Sequence, residues 1–157
     1  MNLSAEKKYV LFAGAFDNKV KNAPLAKEAV SLLRDNNVEL LELKGYSRDE
    51  VTLLMCAADA FLMTSFTEGS PQVVKEALAC GCPIVSVDVG DVKERTQGVE
   101  RCYVAKTREP QELAELLRKA MTHERKTKGR ERILADGLDN CQVAAKLTDI
   151  YQIIQKS

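Results

Sequence analysis

Residues 60–88 read AFLMTSFTEGSPQVVKEALACGCPIVSVD, and the hydrophobic period changes twice within them. Ala60 to Ser65 is a short apolar run suited to a strand. Val73, Val74, Ala77 and Leu78 then recur at helical spacing, and Pro83 to Asp88 is again short, apolar and β-branched. Ser70 with Pro71 reads as a helix start. Gly81 reads as a helix stop that turns the chain directly into the next strand. Strand, helix and strand in this order imply parallel neighbours, because a parallel pair needs a crossover of about this length.

The same alternation continues on both sides. Tyr9 to Gly14 (YVLFAG), Val38 to Gly45 (VELLELKG) and Cys102 to Lys106 (CYVAK) read as further strands. Leu25, Ala26, Ala29, Val30, Leu32 and Leu33 have helical spacing, as do Val51, Leu54, Met55 and Ala58. Asn22 with Pro24 opens the first of these helices, and Ser47 with Glu50 forms a capping box for the second. Strands apolar on both faces and alternating with helices predict an α/β fold, a doubly wound Rossmann-like parallel sheet with helices on both faces. From Pro110 the pattern is helical only. It runs through QELAELLRKAM, a basic link HERKTKGRER read as solvated surface, and an amphipathic segment around Val143, Ala144, Leu147, Ile150, Tyr151 and Ile154.

A chain of 157 residues, 45% hydrophobic and 29% charged, suits one domain with a real core, spanning 1–157. Lys plus Arg equal Asp plus Glu at 23 each. No overall field therefore favours nucleic acid or an anionic membrane, and any bound anion must be held locally. Five cysteines in no zinc or C-x-x-C spacing fit a reduced, cytoplasmic chain. The single histidine, His123, is expected on a helix surface. No run approaches the ~18 apolar residues of a membrane span, and the start MNLSAEKKYV lacks the apolar core of a signal peptide.

Ligands of open α/β sheets bind at the carboxyl ends of the strands. Three loops there, GAFDNKVKN, SFTEGSP and DVGDVKE, are expected to face one crevice. The Gly69-Ser70-Pro71 helix start leaves backbone N–H groups at a positive terminus, a setting for phosphate, with Lys19 and Lys21 as added cations. Glu76 can reach back along its helix from one side, while Glu68 lies beyond the start on the other. A carboxylate repels phosphate, so each acid is expected to bind hydroxyls flanking one: ribose at Glu76 and hexose at Glu68. The spacing of eight alone is weak, since Glu42 and Glu50 share it.

The surrounding residues add to it. VLFAG followed by VKN, then GYSRDEV, AADAFLMTS, EGSPQVVKEALACGCPIVSVDVGDVKE and the closing DNCQVAAKLTDIYQII resemble, nearly end to end, the C-terminal nucleotide-sugar-binding domain of the retaining GT-B glycosyltransferases of group 1, or family 4. The resemblance implies transfer of a sugar, of the hexosyltransferase type, from a nucleoside diphosphate donor to an acceptor with retention, through an oxocarbenium-like state, in cell-surface polysaccharide synthesis. By it Glu68 is the catalytic first acid of the family's E-x7-E motif, at the donor sugar, and Glu76 is the second, gripping the ribose. Lys21 matches the phosphate-binding lysine. Gly69, Ser70, Gln72 and Val73 lie along the sugar and diphosphate, with Tyr46 and Ser47 near the nucleobase.

This sequence departs from the family at two positions. An arginine commonly follows the first-strand glycine, but Gly14 is followed by Ala15, so Lys19 is the expected substitute. Asp91 replaces a frequent glycine after Gly90. The family's preceding N-terminal domain, which binds a glycan or lipid-linked acceptor, is absent from these residues. Transfer by this domain alone is therefore not expected, and membrane contact would come only through that other domain, at the inner face of the membrane. No cofactor and no metal are expected, since no DxD-type site is visible. An epimerase or phosphorylase-like GT-B domain would need catalytic histidines that His123 alone does not supply. A noncatalytic nucleotide-binding or scaffold module is the alternative from another class, and as a scaffold it predicts no nucleotide-sugar binding.

Overall fold

A computed structural model of the chain describes residues 3–121 and 126–155. Five parallel strands, β1 (Lys8–Phe12), β2 (Val38–Glu42), β3 (Ala60–Met63), β4 (Ile84–Val87) and β5 (Cys102–Ala105), lie in the order β2-β1-β3-β4-β5. All five predicted strands are present. Each ends short of the predicted boundary at its carboxyl end, because the residues there leave the ladder to build the loops described below. Val10, Leu11, Phe12, Phe61, Leu62, Met63, Ile84 and Val85 are fully buried, whereas the edge strand β2 is half-buried along its length.

The helices are α1 (Ala23–Ser31), α2 (Arg48–Ala57), α3 (Gln72–Ala79), α4 (Val92–Thr96), α5 (Pro110–Ala120), α6 (Gly129–Ala135) and α7 (Asn140–Gln155). Right-handed crossovers place α1 on one face, where it packs against α5, and α2 and α3 on the other, where α3 also packs against α6. Leu113, Ala114, Leu117 and Ala120 bury the inner face of α5.

Two cap assignments hold and two are corrected. Ser47 and Glu50 form the expected capping box, and Gly81, at φ +70°, takes the left-handed position that ends α3. The Ser70 hydroxyl does not cap α3. Pro71 occupies the cap position without a side-chain bond, because Ser70 Oγ donates instead to the Asp91 carboxylate at 2.6 Å. Asn22 precedes α1 in a left-handed conformation (φ 53°) and makes no side-chain cap, leaving Pro24 in the first turn to favour the start.

The basic link meets expectation in part, since Lys126, Lys128, Arg130 and Glu131 are exposed. Its described part is tied to the body: Lys126 Nζ donates to the carbonyls of Cys56 and Cys80, each at 2.9 Å, and closes the ends of two helices. Gly129 lies against α3 so closely that a Cβ there would stand 2.6 Å from the Leu78 carbonyl oxygen. Helix α6 therefore begins inside the link. His123 lies outside the described residues. The segment from Val143 is helical, as expected, but no residue of α7 is buried, and Leu147, Ile150, Tyr151, Ile153 and Ile154 are each at least half exposed. Among the described residues no helix is long and apolar enough to cross a membrane.

Candidate functional site

The chain leaves β1 toward β2 on one side and returns to β3 on the other, so the neighbouring carboxyl ends of β1 and β3 form the topological switch point of the sheet. The loops leaving these two strands are joined. Thr64 Oγ1 donates to the carbonyls of Lys21 (2.9 Å) and Asn22 (3.0 Å), and the Phe66 N–H donates to the Val20 carbonyl at 2.9 Å. Arg108 closes the far side by donating to the carbonyls of Ser65 (2.9 Å) and Phe66 (3.2 Å).

Lys21 and Glu68 meet in this crevice. Lys21 Nζ lies 2.6 Å from Glu68 Oε1, with only 20% and 16% of the two side chains exposed. A short 3-10 turn, Lys19–Lys21, aims the lysine inward and leaves Lys19 exposed to solvent, in no ion pair among the described residues. Gly14 lies directly beneath Lys21, where a Cβ would stand 2.9 Å from Lys21 Cγ. The glycine thus makes room for the lysine stem to cross the end of β1.

Glu76 lies elsewhere. It is exposed on α3 and lines a cleft with Tyr46, Arg48, Val51, Thr52 and Met55, which α2 supplies together with the loop before it. It also borders a larger cleft of about 800 Å³ whose lining includes Arg48, Gln72, Lys75, Arg130 and Leu134. The two acids of the motif therefore have separate surroundings, Lys21 for Glu68 and Tyr46 with Arg48 for Glu76. Of the other predicted residues, Gln72 is exposed at the mouth of the larger cleft, and Val73 packs its side chain against the core. Ser47 lines neither cleft; its hydroxyl accepts from Glu50 N in the capping box.

Arg48 was missed by sequence reasoning, although its position as the first residue of a helix starting beyond β2 was a usable signal. Arg108 gave no signal at all. Asp91 was noticed only as a departure. Its carboxylate accepts from Ser70 Oγ at 2.6 Å and from Arg95 Nε at 3.0 Å. Burial raises the Asp91 pKa, but the bonds from Ser70 and Arg95 outweigh burial and hold it below the ordinary aspartate value.

All five cysteines are free. Cys82 is buried, with burial the main reason that its thiol is pushed far up, and burial raises Cys80 to about 11. These two are packing residues in the neutral thiol form. Among the described residues no group of three or more His, Cys, Asp or Glu side chains could hold a metal ion.

Comparison with known proteins gives the same fold and adds a family. A solved sucrose-phosphate synthase from Thermosynechococcus elongatus superposes with a TM-score of 0.67 at 20% identity, over 99% of this chain and 47% of the synthase chain. The putative teichuronic acid biosynthesis glycosyltransferase TuaC of Bacillus subtilis (strain 168) is 40% identical over 63 residues, which are 40% of this chain and 16% of that protein. The chain thus matches less than half the length of either relative. The family profile described as glycosyl transferases group 1 matches residues 39–123. That span takes in β2 to α5, including Tyr46, Arg48, Glu68, Glu76 and Asp91, which form most of the site just described, and the chain belongs to the group 1 glycosyltransferases.

Proposed function

We propose that this chain binds a nucleoside diphosphate sugar across the start of α3 and forms the donor half of a retaining, hexosyl-transferring enzyme. The observation that carries the reading is Lys21, seated on Gly14 at the switch point and paired with Glu68 beside the first turn of α3. The first N–H groups of α3, from Gln72 and Val73, have no partner one turn back in their own helix. With Lys21 they would receive the diphosphate, and they would stabilise the charge that grows on it as the glycosidic bond breaks.

In this reading Lys21 and Glu68 neutralise one another before a donor binds. The diphosphate competes for Lys21 and releases Glu68 to hydroxyls of the donor sugar. Glu76 binds the ribose hydroxyls and Tyr46 and Arg48 border the base, which accords with the cleft the three share. Gly69 and Ser70 follow the sugar and diphosphate through their backbone. Lys19 is exposed, so its part is a longer-range attraction for phosphate.

The acceptor, a glycan or lipid-linked glycan, is bound by a second domain, and this domain alone transfers no sugar. The short match to TuaC, a putative teichuronic acid biosynthesis glycosyltransferase, supports a role in polysaccharide biosynthesis, and in this reading the domain works in the cytoplasm. Donor binding needs no added divalent metal in this reading. Thermal denaturation with UDP and with GDP tests it. A rise in melting temperature that survives a chelator is expected, and no rise with either nucleotide would leave the scaffold reading in its place.

A further inference from the structure

The loop between β4 and α4 lies directly behind the loop that carries Glu68. Gly90, at φ +56°, approaches so closely that a Cβ would stand 2.2 Å from the Gly69 carbonyl oxygen, and the Asp91 N–H donates to that same oxygen at 3.1 Å. Asp91 Oδ2 holds Ser70 Oγ at 2.6 Å, so one residue grips two successive residues of the 68–71 loop, one through its backbone and one through its side chain. The other oxygen, Oδ1, is buried with no hydrogen-bond partner among the described residues.

A carboxylate this near an anion site needs a reason and a counter-charge. Arg95 supplies the charge: its Nε lies 3.0 Å from Asp91 Oδ2, and its Nη1 lies 3.2 Å from Asp136, which Arg132 also holds at 3.0 Å. Two acids and two arginines alternate from the loop to α6; the more exposed Glu94 also lies 3.4 Å from Arg95, and Lys75 adds positive charge near Asp91. We propose that Asp91 is a positioning residue that fixes the 68–71 loop for the donor, and that Arg95 cancels its charge so that a diphosphate can bind beside it.

The inference rests on the donor reading above and makes two claims about this chain. Ser70 meets a donor through its backbone, because its hydroxyl is committed to Asp91. Arg95 matters to diphosphate affinity through its charge, without touching the ligand. Geometry and charge separate cleanly here, since asparagine can accept the Ser70 hydroxyl without carrying the charge.

The test is titration calorimetry of the full 157-residue chain with UDP and GDP, alongside melting temperatures and amide hydrogen exchange of residues 68–72. Asp91→Ala is expected to speed exchange in that loop and to weaken binding roughly tenfold, whereas Asp91→Asn binds no worse than wild type. Arg95→Gln is expected to weaken binding roughly fivefold at low salt and less at 0.5 M salt, as an uncancelled charge requires. The pair Arg95→Gln with Asp91→Asn should return to within about twofold of wild type, a recovery that lost packing alone would not give. If wild type binds UDP or GDP but the double variant is no better than Arg95→Gln, or Asp91→Ala leaves loop exchange and affinity unchanged, the positioning role is overturned and the donor reading stands. If wild type binds neither nucleotide, the donor reading falls and this inference falls with it.

Discussion

Glu68 and Glu76 are eight residues apart in sequence, yet their surroundings differ, and so should their substitutions. Glu76 is exposed in the cleft it shares with Tyr46 and Arg48. If it binds ribose hydroxyls, Glu76→Ala removes charged hydrogen bonds worth about 1.5–3 kcal/mol and weakens UDP or GDP binding roughly ten- to a hundredfold by calorimetry. Glu68 pairs with Lys21. Glu68→Ala should therefore leave nucleotide binding unchanged or somewhat tighter, because the lysine no longer has to give up a partner. Equal losses from the two substitutions would show that they do not divide ribose from sugar. The candidates came from the sequence, from a helix start flanked by acids and above all from the family resemblance of the stretches around it. Their pairings did not. The Lys21 contact to Glu68 spans 47 residues and the Ser70 contact to Asp91 spans 21, and no local pattern encodes which of several nearby partners a side chain takes.

At the scale of elements, all five strands and the helices α1, α2, α3, α5 and α7 followed from hydrophobic period and punctuation. The short α4 and α6 did not. Five and seven residues are too few to show a period, and α6 starts within a run of basic residues that reads as solvent-facing. Its place is set by tertiary contact: Gly129 against Leu78, and Arg132 donating to the carbonyls of Glu94 and Gln97 at 3.1 Å each. Gly129→Ala must push α6 off the backbone of α3. A loss of about 1–3 kcal/mol is expected from chemical denaturation, and a neutral outcome would mean that the two helices slide freely.

The charge chain behind the site makes a second prediction at this scale. Burial raises the Asp136 pKa, yet bonds from Arg132 and Arg95 outweigh it, so Asp136, like Asp91, titrates below its ordinary value in the folded chain. A lowered folded pKa stabilises above the unfolded value, near pH 4, and that stabilisation is lost as pH falls through the folded value. Melting temperatures measured from pH 7 to pH 2.5 should thus fall more steeply below pH 4 for wild type than for Asp136→Asn. Parallel curves would show that the network contributes no pH-dependent stability.

For the whole molecule, the fold resembles a region covering 47% of a sucrose-phosphate synthase, and the group 1 family profile spans β2 to α5. On the donor-half reading proposed above, the chain binds nucleotide but does not turn over. Incubating the chain with nucleotide sugars and simple glycan acceptors should therefore yield no transfer product by mass spectrometry, while nucleotide still raises its melting temperature. Steady product formation would overturn the two-domain reading. Fold class was the most legible property at this scale, because alternation of strand and helix is written along the entire chain. The exposure of α7 was not, since an apolar face in sequence says only that burial would be favourable, not what is available to cover it.

The clasp of Lys126 over the ends of α2 and α3 has a consequence for the order in which the protein is made. All five strands precede residue 106, so the sheet can assemble while the remaining third of the chain is still being synthesised. Until Lys126 and Gly129 arrive, the Cys56 and Cys80 carbonyls lack their ammonium partner and the outer side of α3 has no cover. The helix on which the proposed site stands is thus among the last to be secured during translation. A chain cut just past β5 would keep all five strands but leave the helix of the proposed site only half fastened.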